Sequence, residues 1–246
     1  MKFITIKLRT IIFIILAIVL AATLLILVGA TRSAGLWTSG QPNRLQPTYN
    51  IATEEQSVAL TFDAISGGQN TNRIIEILDE FDVDATYFVS GFWAERYADE
   101  LKALSEAGVE IGTLGNSYVN MSRLSSNIVR SELETSVGTI GNITNNQVTL
   151  FRPPFGVYND NLLNIAKETN LIPVMGNINL ICDNKTPYQM ASATLANLKG
   201  GSIIMLNSDC NNSVSALPAI IAGVHSRGMS FVTVSNLLNL NNSQTE

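Results

Sequence analysis

Histidine is almost missing from this chain of 246 residues: His225 is the only one. A site built from several imidazole ligands therefore cannot be assembled within one copy of the chain. Cysteine is nearly as scarce. Cys182 and Cys210 do not have the spacing of a zinc knuckle, and one disulfide in an oxidising compartment is the plain reading of the pair. Cations are outnumbered, with 15 Lys and Arg against 20 Asp and Glu. Setting aside Lys2, Lys7 and Arg9, 15 less 3 leaves 12 cations against 20 acids, a net −8 for the remainder. Such a surface repels phosphate backbones, which excludes nucleic acid as a partner. No internal repeat, basic block or low-complexity tract interrupts the sequence.

What the chain does have begins with an apolar run. Residues 1–9 carry the three early cations and no acid, a pattern that predicts a cytoplasmic stub. Residues 10–31 carry no charge, and Ile11 to Val28 is almost purely aliphatic. As a helix rising about 1.5 Å per residue, this stretch covers roughly 30 Å, the thickness of a bilayer's hydrocarbon core. With the cations in front, the rule for positive charge keeps the N-terminus inside and exports the rest. We expect a single-pass anchor in the cell membrane, or an uncleaved signal, with the domain on the extracytoplasmic side. A cleaved signal peptide is the rival reading, since Val28-Gly29-Ala30 offers small residues for cleavage.

Residues 32–56, rich in Gly, Pro, Ser, Thr, Asn and Gln, predict a linker. Residues 57–238 predict one domain, and 239–246 a polar tail. Within the domain, short apolar runs alternate with helical periodicity. Ser57 to Phe62 predicts a strand, and Thr71 to Phe81 a helix with Ile74, Ile77 and Leu78 on one face. Strands follow at Ala85 to Ser90, Val109 to Gly112, Val148 to Phe151, Leu171 to Met175, Ser202 to Leu206 and Phe231 to Val234. Helices lie between them, with Asn159 a predicted N-cap and Gly228 a predicted terminator. Six or seven strand–helix units imply an α/β fold: a single (β/α) barrel, distorted, with about seven strands, closed or nearly so. Functional groups of such barrels sit at the C-terminal strand ends, here Asp63, Gly115 to Tyr118, Arg152, Asn179 and Asn207.

At those ends four blocks stand in order: Leu60-Thr61-Phe62-Asp63, Glu110-Ile111-Gly112, Phe151-Arg152-Pro153-Pro154-Phe155-Gly156 with Tyr158-Asn159, and Gly201 to Leu206. Together they resemble the polysaccharide deacetylases with a NodB-homology domain, carbohydrate esterase family four. Trp93 to Arg96 and Phe231 to Ser235 extend the likeness to sporulation deacetylases of the PdaB type. The resemblance implies metal-dependent hydrolysis of N-acetyl groups on glycans. An aspartate acts as base on metal-bound water, a second aspartate and two histidines hold the metal, and a third histidine is the acid.

Carried over residue by residue, the base is Asp63 and the arginine that orients it is Arg152. The metal ligand positions are Ala64, Leu114 and Tyr118, the acid position is Asn207, and the aspartate that would orient the acid is Asn179. The remaining groove positions implied for substrate are Pro153, Pro154, Tyr158 and Leu206. Alanine and leucine have no donor atoms, and neutral tyrosine or asparagine is a poor zinc ligand. Without a metal, water near Asp63 keeps a pKa of about 15.7. A lone carboxylate then contributes about 10²–10⁴-fold, too little for amide hydrolysis at useful rates.

The expectation is therefore a degenerate, glycan-binding deacetylase-like protein. No cofactor is expected, and zinc or another divalent metal enters only through a replacement site. Peptidoglycan is the expected partner, with an envelope protein as a further possibility. An active amide hydrolase with a rearranged site is the alternative. Several local readings stay open. Asp63 and Arg152 either brace the barrel mouth or hydrogen-bond a sugar. Tyr118, Phe155 and Tyr158 either stack on a glycan or simply pack. Cys182, Asp183, Asp209 and Cys210 form either a disulfide region or an unorthodox metal site. Met175 and Met205 read as core, and His225 as a solvent-facing residue at a helix end.

Overall fold

The computed structural model describes residues 19–21, 23, 44–180 and 185–242. The chain divides into two compact units, residues 1–44 and 45–246. Of the first, residues 19–21 and 23 are helical. The expected stub and nearly all of the expected anchor lie outside the described residues, as does most of the linker before Arg44. No helix among the described residues is long and apolar enough to cross a membrane.

The second unit runs β1 (Ser57–Ala64), α1 (Thr71–Glu80), β2 (Thr86–Val89), α2 (Gly91–Arg96), α3 (Ala98–Glu106), β3 (Glu110–Thr113), α4 (Ser126–Thr144) and β4 (Leu150–Phe151). It continues through α5 (Asp160–Glu168), β5 (Ile172–Pro173), β6 (Ile178–Leu180), α6 (Pro187–Ala196), β7 (Ile203–Asn207), α7 (Asn211–His225), β8 (Ser230–Phe231) and α8 (Val234–Asn242). Every predicted strand and helix has its counterpart. Three features escaped the sequence pattern: α2, the three-residue β6, and the first turn of α7. The polar segment from residue 239 begins inside α8.

All ladders are parallel, in the order β5-β4-β3-β2-β1-β7-β6, with β8 beside β1. No ladder among the described residues joins β5 to β6, so the sheet is a curled half-barrel. This corrects the expectation of a closed or nearly closed barrel. The physical reason is that the outer edge of β5 pairs with Thr48 instead of with β6.

The open seam is stitched by residues from the segment expected to be a linker. Thr48 pairs with Val174, and Asn50 with Ser202. The Thr48 N–H donates to the Pro173 carbonyl at 2.9 Å, and the Met175 N–H donates to the Thr48 carbonyl at 2.7 Å. Ile51 is buried, its N–H donating to the Gly201 carbonyl at 2.9 Å. A side chain at Gly201, where φ is 76°, would put its Cβ against the Ile51 carbonyl, so the close approach requires glycine. From Leu45 onward the predicted linker is thus docked, through backbone groups that composition does not reveal.

Alternation along β1 sorts two apolar layers. Val58, Leu60, Phe62 and Ala64 join the helix-side core with Ile74, Leu101, Leu133 and Leu217. Ala59 faces the interior with Phe88, Leu114, Leu150, Val174 and Ile203. Covering both faces is what a parallel sheet demands. Local signals hold the helices in place: the Asn159 side chain accepts from the Leu162 N–H at 2.9 Å, and Thr186 with Gln189 forms a capping box.

Candidate functional site

Thr61 and Asp63 are two residues apart on β1 and share its inner face. Arg152 follows β4 directly, its N–H donating to the Thr113 carbonyl at 2.9 Å. Its side chain is buried, at 1% exposure. One guanidinium nitrogen, Nη1, donates to Asp63 Oδ1 at 2.5 Å, and Nη2 donates to Thr61 Oγ1 at 2.9 Å. Thr61 in turn donates to the Ile204 carbonyl at 2.7 Å. The guanidinium carbon stands 3.9 Å from the centroid of the Phe88 ring, so the cation is also satisfied by a π face. The arrangement fixes the Asp63 carboxylate at the barrel mouth and leaves Nε of Arg152 without a partner among the described residues. Burial pushes the Asp63 carboxyl above its ordinary value, and the charge and hydrogen bond of Arg152 oppose this without reversing it.

Asp63 opens onto a cleft of about 370 Å³. Tyr118, Pro153, Phe155 and Gly156 form one wall, and Asn179, Leu180, Leu206 and Asn207 the other, with Ile65, Met175 and Met205 completing it. Asn207 stands opposite Asp63 in the β1–β7 ladder. Its Oδ1 accepts from the Asp209 N–H at 2.8 Å. Asp209 holds the loop after β1, accepting from the Ser66 and Gly67 N–H groups at 2.8 and 3.1 Å. The loop bearing Tyr118 is held by Glu132 of α4, which accepts from the Ser117 N–H at 2.8 Å and the Ser117 hydroxyl at 2.6 Å. Tyr118 and Phe155 face each other with ring centroids 4.8 Å apart. Burial raises the Tyr118 phenol pKa, and the Asp63 charge adds to the rise.

The structure thus gathers Asp63, Tyr118, Pro153, Asn179, Leu206 and Asn207 around one cleft, with Arg152 directly behind. Four expected site positions fall elsewhere. Pro154 is buried and does not line the cleft. Tyr158 is turned to Tyr49, with hydroxyls 3.1 Å apart. Ala64 packs in the helix-side core. Leu114 is fully buried in the interior cluster. Met175 and Met205 read as plain core, yet both reach the cleft wall. Sequence reasoning also missed Thr61, although its spacing of two from Asp63 was the available signal. His225 is exposed at the end of α7, as expected, its ring edge against Phe231. Cys210 is disulfide-bonded, while Cys182 and Asp183 lie outside the described residues.

Residues 50–174, just over half the chain, match the family model for polysaccharide deacetylase. The chain belongs to the polysaccharide deacetylase family. A bifunctional xylanase/deacetylase of Pseudobutyrivibrio xylanivorans is 28% identical over 198 residues, 78% of this chain but 32% of that one. A peptidoglycan-N-acetylglucosamine deacetylase of Bacillus cereus is 26% identical over 197 residues, 78% of this chain and 92% of that one. Among solved structures, a family 4 pseudoenzyme from Bacillus anthracis superposes with a TM-score of 0.75 at 26% identity, covering 78% of this chain and 69% of that one. A mutant of that pseudoenzyme with restored enzymatic activity gives the same TM-score at 27% identity, over 78% of this chain and 71% of that one. The relatives include peptidoglycan deacetylases of several Bacillus kinds, so the narrower likeness to the PdaB type is not singled out.

The family's metal can be tested against the residues present. Positions 64 and 114 offer methyl groups and no donor, and Tyr118 offers a protonated phenol inside an aromatic pair. Among the described residues Asp63 is the only carboxylate on the cleft wall, and its Oδ1 is already engaged by Arg152. No group of three His, Cys, Asp or Glu side chains suited to a metal occurs among the described residues. This donor set does not fit zinc.

Proposed function

We propose that this protein is a catalytically degenerate polysaccharide deacetylase that binds peptidoglycan-type glycan on the outer side of the cell membrane. The observation that carries the reading is the composition of the cleft. Its Asp63–Arg152 side is fully assembled, while Ala64, Leu114, Tyr118 and Asn207 stand where metal ligands and the acid would be. A neutral charge pair, two asparagine amides and an apolar wall suit hydrogen bonding and van der Waals contact with a sugar. They give no means of activating water. The deacetylase relatives' action on peptidoglycan N-acetylglucosamine supports the choice of glycan, and the pseudoenzyme neighbour supports a fold that persists without turnover. An exported location is supported by the charge-free run at 10–31 and by the disulfide at Cys210.

The test is a pull-down of the purified full chain on insoluble peptidoglycan, with acetate release measured on the same material. Retention on the glycan without acetate is expected. Acetate release that is abolished by Asp63→Asn would replace this reading with an active hydrolase. Absence of glycan retention, with crosslinking to one envelope protein instead, would make the domain a scaffold.

A further inference from the structure

Two aromatic residues at the cleft rim hold a backbone conformation that side chains avoid. Tyr118 has φ 52° and Phe155 φ 59°. Left-handed backbone is disfavoured for a residue with a Cβ, and such strain concentrates at ligand clamps. Neither strain is compensated in the usual way by burial, since the Phe155 side chain is 61% exposed and Tyr118 only partly covered. Ser117 is anchored twice to Glu132, which fixes the loop that aims Tyr118. The two rings meet at 4.8 Å with planes 51° apart, a corner rather than a flat stack. That corner opens onto the same cleft as Asp63, Asn179 and Asn207.

We propose that Tyr118 and Phe155 are the sugar-stacking pair of this cleft. One neutral N-acetylated pyranose ring lies with its apolar C–H face against the corner, and its polar groups meet Asp63 and the asparagine amides. Tyr118 thereby anchors the ligand from a metal-ligand position, and binding needs no metal. The cleft volume of about 370 Å³ lies at the low end of the roughly 300–1,000 Å³ typical of small-molecule sites, which suits a single ring. The inference rests on the glycan-binding reading above and names the residues that would carry it.

The experiment is calorimetric titration of the full chain with N-acetylglucosamine tetramer, with and without EDTA. The variants are Tyr118→Ala, Tyr118→Phe and Phe155→Gly, with melting temperature measured for each. Tyr118→Phe should keep its affinity, and Tyr118→Ala and Phe155→Gly should each lose about tenfold, a difference of about 1.4 kcal/mol. EDTA should change nothing. Phe155→Gly also relieves the backbone at an exposed position, so its melting temperature should hold or rise while affinity falls. A ring kept only for packing would lower the melting temperature and leave affinity alone. If wild type binds and both truncated variants bind equally well, the stacking pair is overturned and the glycan reading survives. Binding that EDTA abolishes overturns its metal independence. If wild type does not bind the tetramer, the pair is overturned, and retention on peptidoglycan separately decides the wider reading.

Discussion

The two sides of the cleft behave differently. On one, Asp63, Arg152, Thr61 and Phe88 form a connected assembly inside the barrel mouth, in which Nη1 and Nη2 of Arg152 are paired and its Nε is not. On the other, the side chains are engaged in packing and in one backbone contact. Leu114 is interior core, Ala64 is helix-side core, Tyr118 is half of an aromatic pair, and Asn207 is an acceptor for the Asp209 backbone. A buried charge pair and an apolar position respond differently to substitution. Removing one partner strands a buried charge, whereas a ligand position can be filled with hydrocarbon and contribute to the core.

The largest expected effect comes from breaking the polar side. Asp63→Ala leaves the 1%-exposed Arg152 without its counter-ion and should cost about 3–5 kcal/mol in urea unfolding. A loss below about 1 kcal/mol would mean that the pair is not structural. Next, Leu114→Ala should cost roughly 2–5 kcal/mol, because that position now belongs to the packed interior. A neutral result would show the ligand side to be still open rather than absorbed into the core.

The sequence was most legible where a physical period was long enough to read. The SVALTF run and the Ile74, Ile77 and Leu78 spacing gave β1 and α1, and Asn159 gave the start of α5. It was least legible where structure rests on backbone pairing alone. Residues 45–51 show neither a strand nor a helix period, yet dock through amides; β6 has only three residues to declare itself; α2 has six, with Ser90 as its one visible cap. At the site, the motif blocks located Asp63, Arg152 and Asn207. Met175 and Met205 could not be told from core, because an apolar side chain in a cleft wall looks the same as one beneath it. The seam between β5 and β6 depends on the backbone pairing of Thr48, Asn50 and Ile51, which periodicity does not reveal.

A smaller effect separates the cleft from the layer behind it. Burial pushes the Tyr87 phenol from 10.0 to about 12. The native preference for the protonated phenol is fully present below pH 10 and is lost as pH rises to about 12. Over that window Tyr87 should lower stability by roughly 2–3 kcal/mol, and Tyr87→Phe should remove that part of the slope from alkaline unfolding curves, leaving the part due to Tyr49, whose phenol is also raised to about 12. An unchanged slope would assign it to other tyrosines. The smallest change is Asn207→Ala, which deletes the acceptor for the Asp209 N–H and should cost about 1 kcal/mol. A clearly larger loss would mean that Asn207 braces the polar side as well.

On the proposed reading, Ala64, Leu114 and Tyr118 serve packing and the cleft holds no metal. Metal content of the purified full chain, equilibrated with zinc and passed through gel filtration, tests it most directly. Zinc no higher than in a Cys- and His-free control protein is expected. One tightly held zinc per chain, lost on Asp63→Asn, would contradict it and return the protein to the hydrolases.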